Sequence, residues 1–317
     1  MSRAKVLYIH ITGASSEVLK NLVLAGICAV LCDPRPFPDA VLDTPSLLLR
    51  RQLNEDSDTI GGPDNKKLKY ESVAHAVRPI VEELNPLLGD CEIITTPIDQ
   101  LVASGNLKQY TAIVASRLGP QDACALSAAI TAAGGTFYTV DCFGMFGVSA
   151  IDLGPNYQYR PEKGKELLDV TPLKLYVPLK KMLAVPLDQV TNRFYKTPPQ
   201  SWVYYRCLLE FIEQSSSSSW PILDDRSKLQ DFVEKIRGWL ESSSSSSIVD
   251  LDYTSETSLK ELAKVAHREV APVCSVLGGL VGNEVIKAIS GKGEPANNTM
   301  LFDGRSCKAF SFLVQPK

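Results

Sequence analysis

The sequence has 317 residues, enough for about two domains and for a core that buries roughly three quarters of the unfolded surface. Hydrophobic residues make up 44% and charged residues 22%, which excludes collagen, coiled coils and wholesale disorder. The 33 Lys and Arg residues against 36 Asp and Glu residues leave a net charge of −3. We therefore expect neither nucleic acid nor a membrane surface as a partner.

The eight cysteines are scattered singly, and no CxxC pair is present to hold zinc or to perform redox chemistry. We therefore predict reduced thiols and no metal site. The amino terminus leads directly into a predicted strand. The sequence contains no apolar run of the kind found in signal peptides or membrane spans. These features predict a protein of the nucleus, the cytoplasm or both.

The first 33 residues have the pattern of a βαβ unit. Residues 6–11 form an apolar run of strand length, the letters TGASS form a turn, and apolar residues at helical spacing follow until Gly26. A second apolar strand at 27–32 ends at Asp33. Because both strands are apolar on two faces, we predict a parallel sheet covered by helices.

Strands and helices then alternate, with strands predicted at 91–95, 112–115 and 136–141 and helices at 70–84 and 120–133. This alternation is typical of a Rossmann-like, doubly wound α/β domain with a mostly parallel sheet. After about residue 148 the pattern changes to extended segments at 148–153 and 174–179 and a helix at 202–212. We interpret this stretch as the start of a partly helical insertion.

Two serine runs, at 215–219 and 242–247, are predicted to be flexible because serine buries no apolar surface. Between them, apolar residues at spacings of 3 and 4 predict an amphipathic helix over 229–240. We expect this helix to dock on its own domain rather than on a partner. The letters SLKE, from Ser258 to Glu261, predict a capping box that opens a helix through Ala266.

Pro272 is placed at the first turn of a further predicted helix, which ends near Gly291. Its internal glycines imply that another backbone lies close to that face, and a contribution to a subunit interface is the less favoured alternative. The candidate interface residues are Pro272, Gly278, Gly279, Gly282 and Asn283. An Asp-Gly turn between the strands 300–302 and 308–314 predicts a C-terminal β-hairpin.

The first βαβ unit has the scaffold of a nucleotide-binding site but not its glycines. The fingerprint GxGxxG would place glycine at the positions of His10, Thr12 and Ser15, and only Gly13 remains in the turn. We therefore predict a vestigial nucleotide turn whose side chains obstruct a phosphate. We interpret Asp33 as a solvated strand end and His10 as structural, and we predict no catalytic residue in this chain.

Four segments, in order, carry a resemblance to a known family. They read KVLYIHITGASSEVLKNLVLAGI, VDCFGMFGVSAIDLG, KLYVPLKKML and EVAPVCSVLGGLVGNEVIKAISGKGEPANNTMLFDG. Together they resemble the small, non-catalytic subunits of SUMO-activating enzymes, within the ThiF/MoeB superfamily of enzymes that activate ubiquitin-like modifiers. The resemblance runs nearly from end to end, and the last segment is the most specific.

The resemblance implies an adenylation-type fold divided into a first part at 1–184, a helical insertion at 185–265 and a return at 266–317. It implies a heterodimer with a larger subunit that holds ATP, magnesium, zinc and the thioester cysteine. This chain then binds no cofactor and meets the ubiquitin-like modifier through the complex. The alternatives are the regulatory subunit of the NEDD8-activating enzyme and an autonomous homodimeric adenylyltransferase for a sulfur-carrier protein.

The family also has a segment before the first strand that supplies an arginine to the partner's ATP. Here the sequence begins at Met1 just before that strand, and Arg3 lies in no such motif. This leaves two alternatives, a chain truncated at its start or a version that contributes only scaffolding.

Overall fold

The computed structural model describes residues 4–37, 70–164, 166–192, 196–215, 220–223, 225–242, 246–249 and 251–317. Arg3 and, within the serine runs, residues 216–219 and 243–245 lie outside the described residues, and Ser246–Val249 forms one helical turn. The strands of the central sheet are β1 (Lys5–Ile9), β2 (Cys28–Cys32), β3 (Glu92–Ile93), β4 (Ala112–Ala115), β5 (Thr136–Thr139), β6 (Asp141–Phe143), β7 (Phe146–Asp152), β12 (Thr299–Asp303) and β13 (Lys308–Phe312).

Two small antiparallel pairs lie outside this sheet: β8 (Gln158–Tyr159) with β11 (Thr171–Pro172), and β9 (Glu162–Lys163) with β10 (Glu166–Leu167). The helices are α1 (Gly13–Leu24), α2 (Val73–Leu84), α3 (Ile98–Ala103), α4 (Pro120–Ala132), α5 (Leu179–Ala184), α6 (Gln200–Gln214), α7 (Arg226–Ser242), α8 (Ser246–Val249), α9 (Glu256–Val265) and α10 (Ala271–Ser290).

The sheet order is β13-β12-β7-β5-β4-β1-β2-β3, with β6 paired to β7. Strands β1 to β5 are parallel, and β7, β12 and β13 continue the sheet with antiparallel pairing. The predicted Rossmann-like fold and C-terminal hairpin are therefore confirmed. Since the chain passes from β3 back to β4 beside β1, the strand order reverses there, which is where nucleotides bind in such folds.

Both faces of the sheet are covered, because its strands are apolar on both sides. On one face Tyr8 packs in a cluster with side chains of α1, α2 and α10. On the other, Ile113 shares a cluster with Trp202 of α6 and Phe232 of α7. The amphipathic helix between the serine runs thus docks on its own chain, as expected, while the domain boundaries at 184 and 265 stay a prediction.

Two local predictions are wrong at one boundary. The predicted extended segment at 174–179 ends one residue early, because helix α5 begins at Leu179, and residues 174–178 pair with no strand among the described residues. The N-cap of helix α9 is Ser255, three residues before the predicted cap, because the side chain of Ser255 accepts a hydrogen bond from the Ser258 backbone N–H at 3.3 Å. Ser258 is therefore inside the helix.

Helix α10 is the one described helix that is long and apolar enough, by length and composition alone, to cross a membrane. In the structure 44% of its most apolar window is buried inside the protein. Its buried side packs along α1, where Gly278 lies against the helix backbone. It is therefore a core helix of this fold.

Candidate functional site

The turn between β1 and α1 lies where a nucleotide-binding loop connects a strand to a helix. In this chain, side chains occupy the turn. His10 has a φ of +58°, the left-handed conformation that favours glycine. Its Nδ1 lies 3.1 Å from the carbonyl oxygen of Ser116, so Nδ1 carries the proton and donates it. Burial lowers the pKa of His10, which makes the imidazole a neutral structural group near pH 7.

Thr12 and Ser15 form a reciprocal cap at the start of α1. The Ser15 backbone N–H donates to Thr12 Oγ1 at 3.3 Å, and the Thr12 N–H donates to Ser15 Oγ at 2.8 Å. Thr12 Oγ1 also lies 2.9 Å from the hydroxyl of Ser116, while Ser15 Oγ donates to the His10 carbonyl oxygen. Hydroxyl groups therefore occupy positions where the glycine fingerprint leaves space for a phosphate.

The carboxylate of Glu269 binds the first backbone amides of α1. Its Oε2 accepts the Gly13 N–H at 2.7 Å and its Oε1 accepts the Ala14 N–H at 3.3 Å. The first free amides of a helix, with the positive end of its dipole, are the groups that bind phosphate in nucleotide-binding folds. Here a carboxylate of the chain itself, only 9% exposed, holds both amides. No local sequence pattern marks Glu269 as a functional residue.

The segment that carries Glu269 is held from two sides. The Arg117 guanidinium donates through Nη2 to the carbonyl oxygens of His267 (2.9 Å) and Cys142 (3.2 Å), and it lies 5.2 Å above the Trp220 ring. The Gly144 N–H donates to the carbonyl oxygen of Arg268 at 2.8 Å. These contacts hold the segment so that the Glu269 carboxylate lies at the amino end of α1.

Asp141 joins this network beneath Arg117. Its Oδ1 accepts the Arg117 backbone N–H at 2.6 Å and lies 3.4 Å from Ser116 Oγ, which donates to it. Complete burial raises the pKa of Asp141 to about 6, although the Arg117 amide opposes that shift. The hydroxyls of Ser116 and Thr12 therefore link this carboxyl to the cap of α1.

Asp33 is not a solvated strand end, and that prediction is wrong. The side chain is fully buried, and its Oδ2 accepts the Ile11 N–H at 2.6 Å. Arg35 binds the carboxylate in a bidentate manner, through Nε at 2.8 Å and Nη2 at 2.6 Å. In dinucleotide-binding folds an acid at this position binds a ribose. Here the carboxylate of Asp33 is bound by Arg35 and by the Ile11 amide instead.

A cavity of about 310 Å³ lies beside the turn, lined by His10, Cys32, Asp99 and Asp122 among others. Its described lining includes no lysine or arginine, and burial followed by the charge of Asp99 raises the pKa of Asp122. An acidic lining disfavours a triphosphate. The described residues around this turn therefore do not fit ATP, because Glu269 already binds the amides that would hold a phosphate and the adjoining cavity is acidic.

The structure separates the candidate interface residues into two groups. A Cβ on Gly278 would lie 2.4 Å from Glu17 Cβ and 3.1 Å from the Ala14 carbonyl oxygen, so this glycine packs against α1. Gly282 lies on the same buried side, near Asn21. Among the described residues, none lies within 4 Å of a Cβ built on Gly279, so the described part of the chain does not provide the predicted close backbone at that position. The remaining two, Pro272 and Asn283, are exposed.

Comparison with known proteins finds relatives that match nearly the whole chain. No model of a known protein family matches the chain. Over 308 residues it is 27% identical to SUMO-activating enzyme subunit 1 of Dictyostelium discoideum, covering 96% of this chain and 84% of the relative. It is 26% identical to SUMO-activating enzyme subunit 1B-1 of Arabidopsis thaliana, covering 97% and 88%, and to subunit 1 of Xenopus tropicalis, covering 96% and 87%. The chain is thus similar over nearly its whole length to SUMO-activating enzyme subunit 1 proteins.

Proposed function

We propose that this chain is the small, catalytically silent subunit of a SUMO-activating enzyme. In this proposal it supports the adenylation and thioester activation of the modifier by a larger subunit, which holds ATP and magnesium. The observation that carries the proposal is the carboxylate of Glu269 on the first two amides of α1. It supports a role without nucleotide chemistry and disfavours an autonomous adenylyltransferase.

The cysteines give a second argument. Burial raises the pKa of Cys32 to about 11 and those of Cys91 and Cys207 to about 12. A thiol with so high a pKa has almost no thiolate at neutral pH and is a poor nucleophile. These three residues are therefore structural, which fits a thioester cysteine in the partner.

The exposed side of α10 is the surface that we assign to the larger subunit. Val276 is 41% exposed, with Pro272, Gly279 and Asn283 exposed on the same helix. Met145, which is 39% exposed, lies against Gly304, and Gly304 in turn lies against Val273 of α10. An obligate interface of roughly 2,000 Å² or more needs an apolar centre of this kind. We place the complex in the nucleus, the cytoplasm or both.

The test is reconstitution with a purified larger subunit, SUMO and Mg-ATP. We expect a 1:1 complex on gel filtration and SUMO-dependent ATP–pyrophosphate exchange only when both subunits are present. Val276→Asp should weaken the complex by at least about tenfold, whereas Leu87→Asp, at a side chain that is 95% exposed elsewhere, should not. Failure of the chain to associate, or exchange by the chain alone, would overturn the proposal.

A further inference from the structure

Two buried cysteines lie close to the carboxylate of Glu269. The Sγ atoms of Cys142 and Cys274 and a carboxylate oxygen of Glu269 all lie within 4.8 Å of one another. All three residues are buried, with exposures of 0%, 2% and 9%. The sequence pattern did not reveal this cluster because the two cysteines lie far apart in the chain.

We propose that Cys142, Cys274 and Glu269 bind one zinc ion. Zinc takes thiolate and carboxylate ligands with Zn–S bonds of about 2.3 Å and Zn–O bonds of about 2.0 Å, which separates the ligand atoms by roughly 3.5 to 4 Å. Small side-chain rotations are enough to reach that spacing. Three protein ligands leave a fourth position for water or another small ligand. The two thiol protons pass to the buffer as the metal binds.

The surroundings suit a metal. Cys142 is at the centre of β6 and Cys274 is in the first turn of α10, so both thiols are carried by regular elements. The two amides that bind Glu269 use one lone pair on each oxygen, and the remaining lone pairs can coordinate. Hydrogen bonds of this kind orient a metal-binding carboxylate.

The charge balance is also favourable. Two thiolates and one carboxylate carry −3, and zinc reduces this to −1. The guanidinium of Arg117 donates to the carbonyl oxygen of Cys142 and balances the remaining charge. The amino ends of α1 and α10 add positive potential. Bound zinc would hold Glu269 against α1 and so stabilise the closed nucleotide turn.

The experiment measures metal binding by the full chain, with zinc and with Co²⁺ as a spectroscopic probe. We expect one zinc per chain by elemental analysis, a rise in Tm with zinc, and a thiolate-to-cobalt charge-transfer band in the near ultraviolet. Cys142→Ser and Cys274→Ser should each weaken zinc binding by at least about 100-fold, since losing even an outer partner costs about 10- to 100-fold.

Cys207→Ser is the matched control, because this thiol is equally buried but packs on the other face of the sheet. It should keep full zinc binding. The cobalt spectrum of the unmodified chain is independent of whether the serine variants fold. Absence of the charge-transfer band, less than stoichiometric zinc, or unchanged affinity in both serine variants would overturn the site. None of these outcomes bears on the proposed function, which depends on the amides of α1.

Discussion

Replacing Glu269 with alanine should destabilise the fold by an amount that the contacts allow us to calculate. A hydrogen bond to a charged group contributes about 1.5–3 kcal/mol. The 2.7 Å bond from Gly13 falls at the upper end of that range and the 3.3 Å bond from Ala14 adds less. Because desolvation of the carboxylate offsets part of this sum, we expect a loss of about 3 kcal/mol.

The assay is thermal and urea denaturation followed by circular dichroism. Unfolding entropy of about 2.1 cal/mol/K per residue gives about 0.7 kcal/mol/K for this chain, so Tm should fall by about 4 °C. Glu261→Ala, at a solvent-exposed ion pair with Lys264, should change stability by less than about 0.5 kcal/mol. An equal Tm for both variants would refute the role of Glu269.

Glu269→Ala should also release the two amides of α1 for an external anion. Added sulfate should therefore raise the Tm of this variant more than that of the unmodified chain. Glu284→Gln is the matched control, since Glu284 is a buried glutamate that accepts the Ala296 N–H at 2.7 Å rather than an amide of α1. If sulfate stabilises all three proteins equally, the amides are not the anion site.

The remaining predictions concern glycines. Gly278→Ala should lower Tm because the new Cβ would clash with Glu17, at a cost of about 1–3 kcal/mol, whereas Gly279→Ala should raise stability by up to about 1 kcal/mol; equal melting temperatures would show that the two helix faces are equivalent. Restoring glycine at His10, Thr12 and Ser15 together should not create ATP–pyrophosphate exchange, because Glu269 still holds the amides; exchange above background in the triple variant would contradict this.

The sequence predicted individual strands, helices and turns correctly where their structure depends mainly on residues close together in the chain. The apolar strands β1 and β2, the long helix α10 and the Asp303-Gly304 turn each follow from neighbouring residues. The cap of α9 was misplaced because the Ser255 hydroxyl, just before the predicted box, already binds the Ser258 amide. Propensity alone could not choose between two serines three positions apart.

The site depended on contacts that no local pattern contains. Glu269 binds an amide 256 positions away in the chain, and the clustering of Cys142 with Cys274 likewise arises only from tertiary packing. The sequence showed that the glycines of the fingerprint are replaced. It did not show that Glu269 binds the amides that a phosphate would otherwise use. Asp33 was misjudged for a related reason, since burial of a strand end and its pairing with Arg35 depend on the packed turn.

Calorimetric titration of Mg-ATP into the isolated chain tests the closed nucleotide turn most directly. The predicted result is no saturable heat up to about 1 mM nucleotide, because the amides that would hold a phosphate already hold Glu269. Saturable binding with a Kd on the order of micromolar would contradict it.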